Sequence, residues 1–267
     1  MNLRRHLGAV AVAIAVASLA ATARATPRPL PFTYIYETLP AGDAEIELYT
    51  DLTPLRLVDP SANPGTYLAT QYQLEVEYGL TDRLELGLYL TLAPMDPGWS
   101  FAPAMPEGNG VKQRLRYRFA DAGRWPVDLA VYGEVTENQR EIELEAKVIL
   151  QRRIGPVRLA ANAWAEHELY YSGRREWVLN PTAGAVLEKW PALQPGVEYW
   201  MRGELSGSGS WVLRPQHYLG PTVLLQWGKI WWSNGLYFLL NGLHSPPVGS
   251  GDPFGAIWAR TIIGISF

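Results

Sequence analysis

The stretch VKQRLRYRF sets Lys112, Arg114, Arg116 and Arg118 at every second position. EIELEAKVIL places Glu141, Glu143 and Glu145 at the same spacing. A period of two is that of a β-strand, whose successive side chains point to opposite faces. Four cations therefore share one face of one strand, and three carboxylates share one face of another. Glu85 falls on the charged face of the strand expected before the basic stripe, and Asp128 and Glu134 on that of the strand after it. Such groups act electrostatically rather than covalently. Opposite charges on facing strands stabilise one another by roughly 0.2–1 kcal/mol per pair. Arranged around an aqueous path, the same charges select what passes. A salt-bridged ladder and a basic stripe opposed by acidic ones are both open readings of these residues.

Covalent chemistry has less support. Past residue 25 there are three histidines, His167, His217 and His244. A hydrolytic site needs a nucleophile, a base within reach and a group that orients the base. Ser172 follows His167 in an expected loop and Ser245 follows His244, but no G-x-S-x-G pattern occurs. Glu166, His167 and Glu168 can be drawn as a metal cluster, yet alternation puts only the two glutamates on one side, so no metal site is read. The chain has no cysteine, which removes disulfides and Cys-based metal or redox sites. SGSGS at 206–210 reads as a flexible loop rather than a phosphate cradle. No motif calls for a cofactor, and a net charge of −3 gives no hint of nucleic acid as a partner.

The elements that carry these residues alternate almost throughout. In AEIELYT, Ala44, Ile46 and Leu48 oppose Glu45, Glu47 and Tyr49. In QYQLEVEY, Tyr72, Leu74, Val76 and Tyr78 oppose Gln71, Gln73, Glu75 and Glu77. LELGLYLTL sets five leucines against Glu85, Gly87, Tyr89 and Thr91. Further strands are expected at 127–135, 157–167, 178–189, 196–205, 216–227, 230–240 and 256–267, about twelve in all. Pro181 and Pro221 cannot donate to a central ladder, so NPT and GPT read as strand starts or bulges. Connections at 51–65, 93–110, 168–177, 206–215 and 241–255 are long, with 136–140 a short exception. Those at 80–83, 120–126, 154–156, 190–195 and 228–229 are short. Trp125, Trp190, Trp227, Trp231 and Trp232 gather at the short turns, and Trp177, Trp211, Tyr170 and Tyr171 near the long loops. Amphipathic rings at two rims are what a membrane interface favours. A soluble, secreted β-protein with tryptophan in its core is the alternative.

The opening residues add a location. Arg4 and Arg5, the apolar run 7–20 and Ala23-Arg24-Ala25 form the three parts of a secretory signal peptide. Residues 1–25 are expected to be removed, leaving 26–267 as one domain beginning at Thr26. Nothing later is apolar and long enough for a membrane-spanning helix.

The last residues, TIIGISF, put Ile263, Ile265 and Phe267 on one face with Ile257, Ala259 and Thr261. With the signal peptide and the alternating strands, the whole of 26–267 resembles bacterial outer-membrane β-barrel proteins. The resemblance implies an all-β, antiparallel up-and-down transmembrane barrel of about twelve strands. It also implies outer-membrane lipid around the barrel and recognition of Phe267 by the barrel-assembly machinery. More narrowly, EYGLTDRLELGLYL, from Glu77 to Leu90, is similar to a strand–turn–strand unit of the phenol-degradation-associated, transporter-like predicted barrels. That similarity implies passage of a small solute, of unnamed identity, and brings no functional residues with it. The alternatives within the class are a lipid-active hydrolase and a plugged structural or partner-binding barrel.

Overall fold

Among the described residues, thirteen strands follow one another around a ring that closes when β13 (Ile257–Ser266) pairs antiparallel with β1 (Ala44–Leu57). In this computed structural model the described residues are 26–57, 65–92, 110–138, 140–240 and 256–267. Expectations placed on residues 1–25, His244 and Ser245 lie outside them. Between β1 and β13 run β2 (Gly65–Thr81), β3 (Leu84–Leu92), β4 (Gly110–Arg118), β5 (Asp128–Asn138) and β6 (Glu141–Ile154). After these come β7 (Val157–Tyr170), β8 (Arg175–Leu179), β9 (Thr182–Leu187), β10 (Leu193–Ser206), β11 (Trp211–Trp227) and β12 (Ile230–Leu239). All pairings are antiparallel.

The barrel has twelve staves, because β8 and β9 share one. Both pair with β7 on one side and with β10 on the other. The strand expected over 178–189 is thus split at Asn180–Pro181, where proline has no N–H to give the ladder. Backbone bonds on either side bridge the split, Asn180 N–H to Trp164 O and Met201 N–H to Pro181 O, both 3.0 Å. Pro221 is neither a strand start nor a bulge, since it pairs with Val197 of β10 in unbroken register. It sits inside β11, where the β11–β12 register passes from Leu219 to Thr222 without it.

The strands are longer than expected at the end with the long connections. β1 continues to Leu57, β7 to Tyr170 and β10 to Ser206. The expected flexible loop SGSGS is instead a tight turn, with Gly209 at φ +84 and Ser206 N–H bonded to Ser210 O at 2.8 Å.

The wall has an apolar outside and a polar inside. Ile46, Leu48, Leu74, Val76, Leu88, Leu90, Leu115, Leu144 and Val148 point outward and are exposed, while the charged residues between them are buried. Trp125, Trp190, Trp227 and Trp232 are exposed near the short turns, and Tyr171, Trp177 and Trp211 near the other rim. Two aromatics depart from expectation. Trp231 points inward, fully buried, and donates Nε1–H to Glu45 Oε1 at 2.9 Å. Tyr170 turns in to bond Glu168 at 2.7 Å and lies under the Arg174 guanidinium. Each carries a polar atom that finds a luminal partner it would lack in hydrocarbon. A closed ring of strands with an apolar belt leaves no unpaired edge to lipid, which is how a sheet can span a membrane.

Candidate functional site

Eight of the ten charged residues singled out from the sequence are buried on the inner side of the wall, while Lys112 is half-buried and Arg118 lies at the short-turn rim. Arg114 and Arg116 are each 1% exposed, but their carboxylate partners are not Glu141, Glu143 and Glu145. Arg114 pairs with Glu75 at 2.7 Å, with Glu85 at 2.6 Å and with Glu77. Arg116 pairs with Glu85 at 2.7 Å. The register explains how Arg114 reaches two strands away. Glu77, Gly87 and Arg114 lie side by side on β2, β3 and β4, and Gly87 leaves the middle position empty. A Cβ there would stand 2.5 Å from Arg114 Nε. Arg118, at the short-turn rim, donates to Asp82 O at 2.8 Å and to Thr38 Oγ1 at 3.0 Å. Asp128 accepts the Gly123 N–H at 2.7 Å. Lys112 pairs with Glu134 at 3.3 Å. The basic stripe is therefore mostly a locked ladder.

The lumen is not empty. Residues 26–39 run inside it before an exposed turn at 40–43 leads into β1, and sequence reasoning had assigned them nothing. Leu30, Thr33, Ile35, Tyr36 and Leu39 are at most 2% exposed. Pro27, Pro29 and Pro31 deny this stretch a regular ladder, so the wall's side chains satisfy its backbone. Phe32 and Thr33 N–H both donate to Glu198 Oε1. Tyr34 N–H donates to Asn162 Oδ1 at 2.7 Å, and Asn162 Nδ2 returns a bond to Tyr34 O at 3.0 Å. Tyr36 N–H meets Gln151 at 3.1 Å, and Leu39 N–H meets Glu85 at 2.8 Å. Leu30 packs over Gly184, where a Cβ would lie 2.7 Å from its Cδ1.

The path of this segment is a loop entering from the short-turn end. Thr26 N–H reaches Glu45, near the start of β1. Phe32 stacks on Trp200 at 4.6 Å and meets Trp258 edge-on at 5.9 Å, deeper in the barrel. The chain then descends to Glu37, which Arg153 holds at 2.6 Å and Arg158 at 3.3 Å. Burial pushes the Glu37 carboxyl up, but Arg158 and Arg153 outweigh it and hold it below the usual carboxylate range. The Arg28 guanidinium lies 3.8 Å from the Tyr34 ring centroid and 3.7 Å from Glu47.

Beyond the segment, toward the long connections, lies a small cavity of about 80 Å³. Phe32 and Tyr34 line it from below. Of the ten sequence candidates, Lys112, Glu134, Glu143 and Glu145 line it, while Glu85, Arg114, Arg116, Arg118, Asp128 and Glu141 do not. Lys147, Trp164, Glu166, Trp200, Arg202 and Arg260 complete most of its wall. Among the described residues, fifteen Asp or Glu are buried against six Lys or Arg. His167 faces outward from Glu166 and Glu168 and lies flat on Trp177 at 4.2 Å. His217 bonds Tyr199 at 2.7 Å.

A closed antiparallel ring with this belt and this lumen is a membrane-spanning barrel of the bacterial outer-membrane kind. No family model and no curated protein matches the chain. Among solved structures it is similar to an outer membrane channel from Pseudomonas putida F1. The TM-score is 0.55 at 13% identity, covering 87% of this chain and 98% of that one. It is also similar to the NanC porin, with a TM-score of 0.56 at 7% identity, covering 83% and 98%. At these identities the likeness is one of fold.

Proposed function

We propose that this barrel is a passive outer-membrane channel for small solutes, closed in the present state by residues 26–39. The observation that carries the reading is how the segment is held. Up to Leu39 it contributes nothing to the barrel ladder and is retained by side-chain contacts, and only Gly42 and Asp43, at the rim, exchange backbone bonds with Gly79 of β2, so 26–39 can leave without opening the wall. The two similar folds, one described as an outer membrane channel and the other as a porin, support the same reading. So does the resemblance of Glu77–Leu90 to transporter-like barrels. With the leader cleaved after Ala25, the chain's N-terminus sits at the short-turn rim, which is the periplasmic side in such barrels. Selection then falls to the four sequence candidates that line the cavity, Lys112, Glu134, Glu143 and Glu145, rather than to the locked Arg114 and Arg116. The excess of buried carboxylates favours cations.

The filled lumen is equally a feature of a structural barrel, and one experiment separates the two. The protein and a form lacking residues 27–38 are refolded into a planar bilayer, with heat-modifiable migration as the check on folding. A channel gives rare or small conductance steps for the full chain and steady conductance for the deletion. A folded deletion that stays silent overturns the channel reading.

A further inference from the structure

The floor of the cavity already binds an ammonium group, and it belongs to the protein. Lys147 on β6 has Tyr132 on β5 and Trp164 on β7 as its direct cross-strand neighbours. Its Nζ lies 3.9 Å from the Tyr132 ring centroid, 3.7 Å from that of Trp164 and 4.3 Å from that of Tyr34 on the luminal segment. Three aromatic faces around one cation make a cage of the type that recognises ammonium ligands. Glu145 completes it with a carboxylate.

The next row of the same face is unusual in its charge. Glu134, Glu145 and Glu166 are direct cross-strand neighbours on β5, β6 and β7. Like charges in that relation are destabilising, and the row is retained with one cation at each position: Lys112, Lys147 and Arg202. A separate observation bears on what else enters. Asn180, at the split between β8 and β9, is 6% exposed and lines the cavity beside Trp164. No hydrogen-bond donor among the described residues reaches its Oδ1. A buried acceptor on the wall of an aromatic and acidic cavity lacks an N–H donor.

The geometry points to a binding site for a solute bearing a primary alkylammonium group, whose place Lys147 holds when the solute is absent. The ligand's charge replaces that of Lys147 among Tyr34, Tyr132 and Trp164. Its N–H groups donate to Glu145 and Asn180 Oδ1, and its alkyl part lies against the cavity's aromatic wall. The flexible stem of Lys147 lets its own ammonium withdraw toward the carboxylate row. Because one cage wall is Tyr34, the exchange takes place against the segment that closes the lumen. This deepens the channel reading, on which calling the ligand a transported solute rests.

The test is calorimetric titration of n-butylammonium chloride into the full chain folded in detergent, with 1-butanol, sodium butyrate and tetramethylammonium as comparisons. Saturable binding of butylammonium that none of the three reproduces is the expected result. Trp164→Leu weakens it about tenfold, the worth of a desolvated cation–π face. Lys147→Met removes the tethered competitor and strengthens it by roughly tenfold. If the full chain takes up butylammonium no better than butanol, the site is refuted whether or not either variant folds. Binding that Trp164→Leu leaves unchanged also refutes it. The titration requires no conductance, so saturable binding in a protein silent in bilayers sinks the channel and keeps the site. Conductance without binding does the reverse.

Discussion

Glu198 is the residue on which closure of the lumen depends most directly. It is fully buried, and its carboxylate accepts the N–H groups of Phe32 and Thr33 as well as the hydroxyl of Tyr237. Glu198→Ala leaves two backbone donors of the segment buried without acceptors. An orphaned buried donor costs about 1–3 kcal/mol, so the closed state loses about 2–6 kcal/mol against an open state in which water meets both groups. At about 1.4 kcal/mol per tenfold, even the lower figure raises the open-to-closed ratio roughly 30-fold. Glu198→Gln keeps an oxygen acceptor of the same length and is expected to fall well short of that. The assay is single-channel open probability in planar bilayers, with the deletion of 27–38 as the fully open reference. Only variants whose gel migration remains heat-modifiable are compared. A folded Glu198→Ala with an open probability within a fewfold of the parent would refute the claim that these bonds hold the segment.

Four further outcomes follow from the same geometry. Arg114→Ala strips one guanidinium from Glu75, Glu77 and Glu85; breaking a buried ion pair on one side costs about 3–5 kcal/mol, read as a lower urea midpoint for unfolding in detergent. Gly87→Ala pushes a methyl into the Arg114 side chain and is expected to cost about 1–3 kcal/mol as overpacking, whereas Gly133→Ala meets open space and serves as the neutral control. Because Arg153 and Arg158 depress the Glu37 carboxyl, its hold on the segment is complete above the ordinary carboxylate range and is lost as pH falls through the depressed value. Open probability should therefore rise on acidification in the parent and be less pH-dependent in Glu37→Gln. Leu48→Arg, in the middle of the outer belt, should cost about 2–4 kcal/mol in lipid, and retention of full stability there would contradict the lipid-facing assignment.

The wall was legible because a barrel strand has only two surroundings. Hydrocarbon on one side and the lumen on the other write a strict alternation, so the faces of β1, β2, β3, β4 and β6 follow from their sequences alone. Partners within the lumen were less legible. Nothing local says that Arg114 ignores the nearby glutamates of β6 in favour of β2; the clue is Gly87, whose missing side chain opens the way. The segment 26–39 was illegible to periodicity, since it obeys none. Its traces in the sequence are alternating prolines at 27, 29 and 31 beside a mainly apolar stretch from Leu30 to Tyr36 that holds three aromatic residues. Such a stretch is too proline-broken to join a ladder and too apolar to be a solvated tail. Its acceptor at Glu198 lies 165 positions from Thr33, a separation no local pattern reports. The inward turn of Trp231 was missed for a related reason, because its partner Glu45 stands on the neighbour of a neighbouring strand.

The luminal side chains meet two demands at once. Glu198, Asn162, Gln151 and Glu85 each accept a backbone N–H from the segment. Acceptors are what an extended, proline-interrupted peptide needs from a surface that offers it no backbone ladder. In the open state proposed above, those acceptors remain and line the vacated path. A wall selected to hold a peptide by its donors thus also presents, once open, a surface that favours donor-bearing and cationic solutes. The buried carboxylate excess and the caged Lys147 belong to the same pattern. On the channel reading, the chemistry that closes the lumen and the chemistry that would choose what crosses it are written in the same residues.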